Sequence, residues 1–320
     1  MSEACCGPAR EPDRPAAGPV PITLGAGARG EAGAELRATL VPIPAQRFTM
    51  GTDDPRGYAD DGEGPAHPVQ VSAFAISPYA VTNAWFARFV DETGHVTTAE
   101  RFGDSFVFAG LLPDDAPPTQ AVAAAPWWRL VEGASWRAPE GPWSDLAGRE
   151  EHPVVHVSWE DATAFCAWSG TRLPTEAEWE AAARGGLAGD HHYPWGDERE
   201  PGGVHRMNVF QGTFPGHDTG EDGFVGTCPV GSYPANGYGL HEVTGNVWEW
   251  CSDWFDPGWY GVSPTTDPTG PAGPTPAGAK VMRGGSYLCH DSYCWRYRVD
   301  ARSSNTPDST TGNLGFRVAG

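Results

Sequence analysis

Apolar positions along this chain recur in short runs rather than in long periodic stretches. Across residues 41–51 apolar and polar side chains alternate, which predicts a strand with proline at its edge. Residues 67–76 alternate again and predict a second strand, after an acidic loop at 53–63. Thr82 is placed to cap a helix whose apolar face carries Trp85, Phe86, Phe89 and Val90 and which stops at Gly94. Residues 102–143 are aromatic and rich in glycine and proline without a steady period, and predict a surface groove built by loops. Ser158-Trp159-Glu160-Asp161 reads as a capping box opening a helix that buries Phe165 and Cys166 and ends at Gly170. Thr175-Glu176-Ala177-Glu178 reads as another, leading through Trp179 to Gly185-Gly186. Beyond this point the pattern predicts loops and short strands, with no repeat and no dividing linker. Residues 37–320 are therefore expected to form a single domain. Residues 1–36, rich in Ala, Gly, Pro and Glu, are expected to be a disordered tail, with Cys5 and Cys6 an exposed pair in it.

Composition sharpens this outline. With Gly 42, Pro 31 and Trp 14 in 320 residues, turns dominate the backbone and aromatics supply much of the buried area. The pattern fits an α+β, loop-rich globule better than a bundle or a doubly wound sheet. A formal net charge of -20 argues against a general nucleic-acid binder, which needs lysine and arginine to displace counterions. No run is long and apolar enough to span a membrane, and no apolar segment follows Arg10 and Arg14 as a secretory signal would require. An odd cysteine count, Cys 7, fits a reducing compartment, so a cytoplasmic location is expected.

Candidate chemistry concentrates in two places. Cys289 and Cys294 form a close pair inside Arg283-Gly284-Gly285-Ser286-Tyr287-Leu288-Cys289-His290-Asp291-Ser292-Tyr293-Cys294, and spacing alone leaves a disulfide, half a zinc site or a functional dithiol open. Glycine-punctuated loops carry Asn208, Asp218, Glu221 and Asp222, then Glu242, Asn246 and Glu249. These suit either solvated turns or a hard cation such as calcium. No phosphate loop, nucleophile elbow or zinc-protease helix is present.

From residue 41 onward the chain resembles the formylglycine-generating enzymes, the sulfatase-modifying factor family. The resemblance rests on Phe48-Thr49-Met50-Gly51, Phe102-Gly103-Asp104-Ser105-Phe106, Ala124-Ala125-Pro126-Trp127-Trp128 and His152-Pro153-Val154-Val155-His156-Val157-Ser158-Trp159. Arg172-Leu173-Pro174-Thr175-Glu176, Gly245-Asn246-Val247-Trp248-Glu249-Trp250 and Asn305-Thr306-Pro307-Asp308 extend it, and the segment around the cysteine pair narrows it most. The resemblance implies a C-type-lectin-like fold. It implies oxidation by dioxygen of the cysteine in a sulfatase C-x-P-x-R motif to Cα-formylglycine, on a nascent or unfolded sulfatase. It further implies Cu(I) held by Cys289 and Cys294, in keeping with the preference of soft thiolates for that ion. Ser286, Tyr293, Trp248 and Asn313 would line the catalytic pocket. Asp104 would pair with the substrate arginine, alongside Ser105, Trp127 and Trp128. Structural calcium would be held by Asn208, Val209, Asp222 and Phe224, and a second ion by Glu242, Val243, Gly245 and Glu249. Two other readings stay in view: a lectin-like binding module with a Cys289–Cys294 disulfide, and a non-haem iron sulfoxide synthase.

Overall fold

The structure, a computed structural model, describes residues 6–10 and 30–320. Helix α1 (Glu31–Ala38) is followed by β1 (Val41–Ile43), β2 (Gln46–Met50), β3 (His67–Val71) and β4 (Phe74–Ile76). Each of the two long strands expected here is thus split in two. β1 pairs with β4 and β2 with β3, both antiparallel, so the chain folds back on itself twice.

Helix α2 (Asn83–Thr93) has Thr82 as its N-cap, accepting from the Trp85 amide at 3.3 Å, and closes on Gly94 at φ 67°. Phe86 and Phe89 on its inner face are fully buried. A one-turn helix, α3 (Thr98–Phe102), leads through Gly103 at φ 77° into β5 (Asp104–Phe108). With β6 (Gln120–Val122) and β7 (Ala125–Glu132) it makes an antiparallel sheet of order β5-β7-β6. The region expected to be loops therefore contains a regular sheet. All residues of β5 are buried, on both faces, so no polar–apolar alternation betrays the strand.

Helices α4 (Trp159–Ser169) and α5 (Glu176–Ala183) both open with the expected capping boxes, Ser158 with Asp161 and Thr175 with Glu178. After the short hairpin β8 (Gly212–Thr213) and β9 (His217–Asp218) come β10 (Trp248–Trp254), β11 (Lys280–Arg283), β12 (Arg302–Asn305) and β13 (Leu314–Gly315). These last make a sheet of order β12-β11-β10-β13, in which only β10–β13 is parallel.

α5 meets this sheet through charge. Glu176 accepts from Arg302 at 2.7 and 2.8 Å and from Arg283 at 3.1 Å, while Glu180 also takes Arg283. Glu249 holds Arg317 at 2.6 and 2.7 Å, and Glu63 holds Arg298 at 2.7 and 2.9 Å. All four arginines are fully buried. Buried charges persist only where paired in this way.

The start of the chain departs from expectation. α1 packs Ala32, Gly33 and Leu36 into the fold. Cys6 is only 4% exposed, and Arg10 is buried as well, so neither belongs to a disordered tail. Cys5 and the remainder of that expected tail before residue 30 lie outside the described residues.

Candidate active site

The chain leaves β11 through Gly284 and Gly285, at φ 95° and 74°. A Cβ on Gly285 would stand 2.8 Å from the Tyr297 Cα, so the loop can press against the returning segment only with a bare backbone there. The loop is then fixed by backbone bonds: Tyr287 N–H to Asn246 at 2.9 Å, and Phe210 N–H to the Cys289 carbonyl at 3.1 Å. A turn in which the Tyr293 and Cys294 amides both reach the His290 carbonyl, at 2.8 and 2.7 Å, brings the two cysteines together.

The sulfurs lie 3.2 Å apart and each residue is 2% exposed. A disulfide is about 2.05 Å long, so these are two facing thiols. Donors surround them. The Ser286 amide points at the Cys289 sulfur at 3.4 Å, and the Arg296 guanidinium stands 3.9 Å from that of Cys294. Arg296 is itself held by Asp61, and it lies over the Tyr58 ring at 3.7 Å. Burial pushes the Tyr58 hydroxyl up to about 12 and raises Asp61, with Arg296 opposing the latter.

The other expected pocket residues gather here. Asn313 donates from Nδ2 to Ser286 Oγ at 3.0 Å. Trp248 is fully buried in the same apolar cluster as the cysteines, and among the described residues its indole N–H meets no acceptor. Tyr293 stacks on Phe214 at 4.6 Å and meets Trp127 edge-on at 4.8 Å, forming an aromatic wall. Trp128 is different. It is fully buried and packs with Phe108, Phe210, Tyr287 and Leu288, so it supports the wall without surface open to a ligand.

Asp104 opens β5 and receives an arginine from the protein's own chain. Arg10 donates to its carboxylate at 2.9 Å, to its carbonyl at 2.7 Å and to Thr310 Oγ1 at 2.6 Å. Ser105 donates to the Thr310 carbonyl at 2.9 Å and shares a 2.7 Å bond with Nδ1 of His156. Burial pushes His156 down to about 4, so the ring is neutral.

Each expected calcium set contains a buried carboxylate that burial raises, Asp222 in the first and Glu242 in the second. Asp222 accepts from the amides of Val209 and Phe224 at 2.9 and 3.2 Å, which draws these residues and the neighbouring Asn208 together. Burial raises the Asp222 carboxyl, and no lysine or arginine pairs with it among the described residues. In the second set Glu249 is already neutralised by Arg317 and bonded to the Trp179 indole at 2.7 Å. Glu242 accepts from the Gly231 and Tyr233 amides at 2.9 and 3.0 Å.

Residues 28–320 match the family model described as a sulfatase-modifying factor enzyme 1-like domain. The chain belongs to the sulfatase-modifying factor family. Within this family it is 60% identical over 280 residues to a formylglycine-generating enzyme of Streptomyces coelicolor, covering 87% of this chain and 88% of that one. It is 55% identical to the formylglycine-generating enzyme of Mus musculus, covering 88% and 74%. It is also 46% identical to an inactive C-alpha-formylglycine-generating enzyme 2 of Mus musculus, covering 88% and 85%. Among solved structures, PvdO from Pseudomonas aeruginosa superposes with a TM-score of 0.61 at 26% identity, covering 88% of this chain and 93% of that one. The α+β, formylglycine-generating-enzyme-like fold expected from the sequence is the one observed.

Reading the family motifs alone passes over several residues at this site. Arg296 lies just past the cysteine pair, in Trp295-Arg296-Tyr297-Arg298, where nothing in the sequence marks it as a thiol contact. Phe214 lies in a stretch without periodicity. Cys6 and Arg10 carried a signal, a cysteine and an arginine spaced about a proline, that averaging over the composition of the first residues hides.

Proposed function

We propose that this protein oxidises the cysteine of a C-x-P-x-R segment in a sulfatase polypeptide to Cα-formylglycine, with dioxygen as oxidant. The observation that carries the reading is the pair of buried, unbridged thiols 3.2 Å apart, each with a donor aimed at its sulfur. A lectin-like module with a Cys289–Cys294 disulfide fits this geometry poorly. An iron sulfoxide synthase would need a ligand cluster, and among the described residues no group of three or more His, Cys, Asp or Glu side chains is placed to hold a metal.

Two soft sulfur donors suit Cu(I), so Cys289 and Cys294 would hold it. Bound there, copper would supply the redox chemistry that brings dioxygen and the substrate thiol together. The chain's own residues do the rest. Asp104 takes the substrate arginine in a charge-assisted pair and sets the register of the peptide. Asn313 and Ser286 orient polar groups next to Cys289, and the Trp248 indole offers a buried N–H. Tyr293, Trp127 and Phe214 exclude water from the sulfur. For calcium, we assign the Asn208, Val209, Asp222 and Phe224 set as the structural site.

The test is reconstitution with Cu(I), exposure to air with a thiol reductant, and mass spectrometry of a short C-x-P-x-R peptide. The expected outcome is conversion of thiol to aldehyde, lost in Cys289→Ser and Cys294→Ser. No conversion by the wild type, or full conversion by both variants, would sink the assignment.

A further inference from the structure

Residues 6–10 read Cys6-Gly7-Pro8-Ala9-Arg10, and this is itself a C-x-P-x-R sequence. The segment does not lie elsewhere on the surface. Its arginine occupies the Asp104 carboxylate and reaches Thr310, with the guanidinium 3.9 Å over the Phe102 ring. Its cysteine end is held by Asn313, whose Nδ2 donates to the Cys6 carbonyl at 3.1 Å and to Ser286 Oγ. Cys6 belongs to the same buried cluster as Cys289, Cys294 and Trp248. Between these ends Asn305 donates to the Gly7 carbonyl at 3.0 Å. Pro8 is buried while Ala9 is exposed, so the position that faces solvent is one that the motif leaves free. Beside Pro8, Ala9 and Arg10 a cavity of about 480 Å³ continues along Phe106, Gln120, Val122 and Leu130, with room for a longer polypeptide to pass.

Burying an arginine is costly unless a site is built for it. Here carboxylate, carbonyl, hydroxyl and ring are all present, on the residue assigned above to hold a substrate arginine. We propose that residues 6–10 are an intramolecular substrate, and that the chain converts its own Cys6 to formylglycine. The inference rests on the reaction assigned under Proposed function. In the step, one Cβ–H bond and the Cβ–S bond of Cys6 break and a Cβ=O bond forms. The protein CH2–SH group, dioxygen and two external thiols give the protein aldehyde, hydrogen sulfide, one disulfide and one water. Two electrons come from Cys6 and two from the thiols. Because the segment is tethered, it competes with external peptide at an effective concentration on the order of mM.

The experiment uses the full chain, loaded with Cu(I) and held in air with a thiol reductant, with fragment-ion sequencing of the peptide that carries Cys5 and Cys6. Aldehyde is expected at Cys6, trapped by an aminooxy probe, to an extent that does not change on dilution. Cys6→Ser should abolish it, Cys5→Ser should retain it, and Arg10→Ala should lower its rate at least about tenfold through loss of the charge-assisted bonds. Before Cys6 is converted, Arg10→Ala should also lower the apparent KM for an external C-x-P-x-R peptide about tenfold at unchanged kcat. If external peptide is converted while Cys6 remains a thiol, self-modification is overturned and the assigned reaction stands. Aldehyde at Cys5 instead, or a yield that falls with dilution, overturns the intramolecular step. If neither peptide nor Cys6 is converted, both conclusions fall together.

Discussion

His156 shows how much a single buried side chain can govern. It is fully enclosed, bonded to Ser105 Oγ at 2.7 Å and to the Pro139 carbonyl at 2.8 Å, and burial lowers its pKa from 6.5 to about 4. Between those values the unfolded chain binds a proton that the folded chain does not. Stability therefore rises with pH across this window: the contribution is complete above 6.5 and declines on acidification toward 4. The expected loss at the acid end is about 3 kcal/mol for this residue. Urea denaturation at several pH values should show it, and His156→Gln should flatten the slope. A wild-type slope matched by the variant would remove His156 as its source. At this scale the sequence is informative where a motif contains the residue, as for Cys289 and Ser286, which the fold brings into one loop. It is silent where the role depends on a distant partner. Nothing local to Arg296 says that Asp61 and Tyr58 will hold it beside a thiol.

Elements follow the same division. α2, α4 and α5 were legible because their signals are local: Thr82, Ser158 and Thr175 as N-caps, and an αL glycine after α2 and α4. The β5-β7-β6 sheet was not, since β5 is buried on both faces and β7 returns only after a long connection. The segment carrying Asn208 and Asp222 has little regular structure beyond the β8–β9 hairpin, so an ion there would do the work of a sheet. Calcium is expected to raise the melting temperature and a chelator to lower it, with Asp222→Asn insensitive to both. Metal analysis after dialysis gives the independent check. An unchanged melting temperature with chelator, together with no retained calcium, would dismiss the site.

Across the whole molecule, regular elements are short and a polar network joins them. Glu176 alone ties α5 to β11 and β12 through Arg283 and Arg302, and it also accepts from the Tyr260 hydroxyl at 3.0 Å. Removing its charge leaves the buried Arg302 guanidinium without its carboxylate, while Arg283 keeps Glu180. Glu176→Gln should cost about 3–5 kcal/mol, measured by denaturant unfolding, and added salt should rescue little because the pairs are buried. A cost below about 1 kcal/mol would show that the network is replaceable. Its partners are far apart along the chain: Glu63 and Arg298 are separated by 235 residues. At ribosomal rates of about 5–20 residues per second, that gap lasts on the order of ten to fifty seconds. Until Arg298 emerges, Glu63 lacks the cation that neutralises it, so the loop that carries it must wait for nearly the last of the chain before it can finish folding.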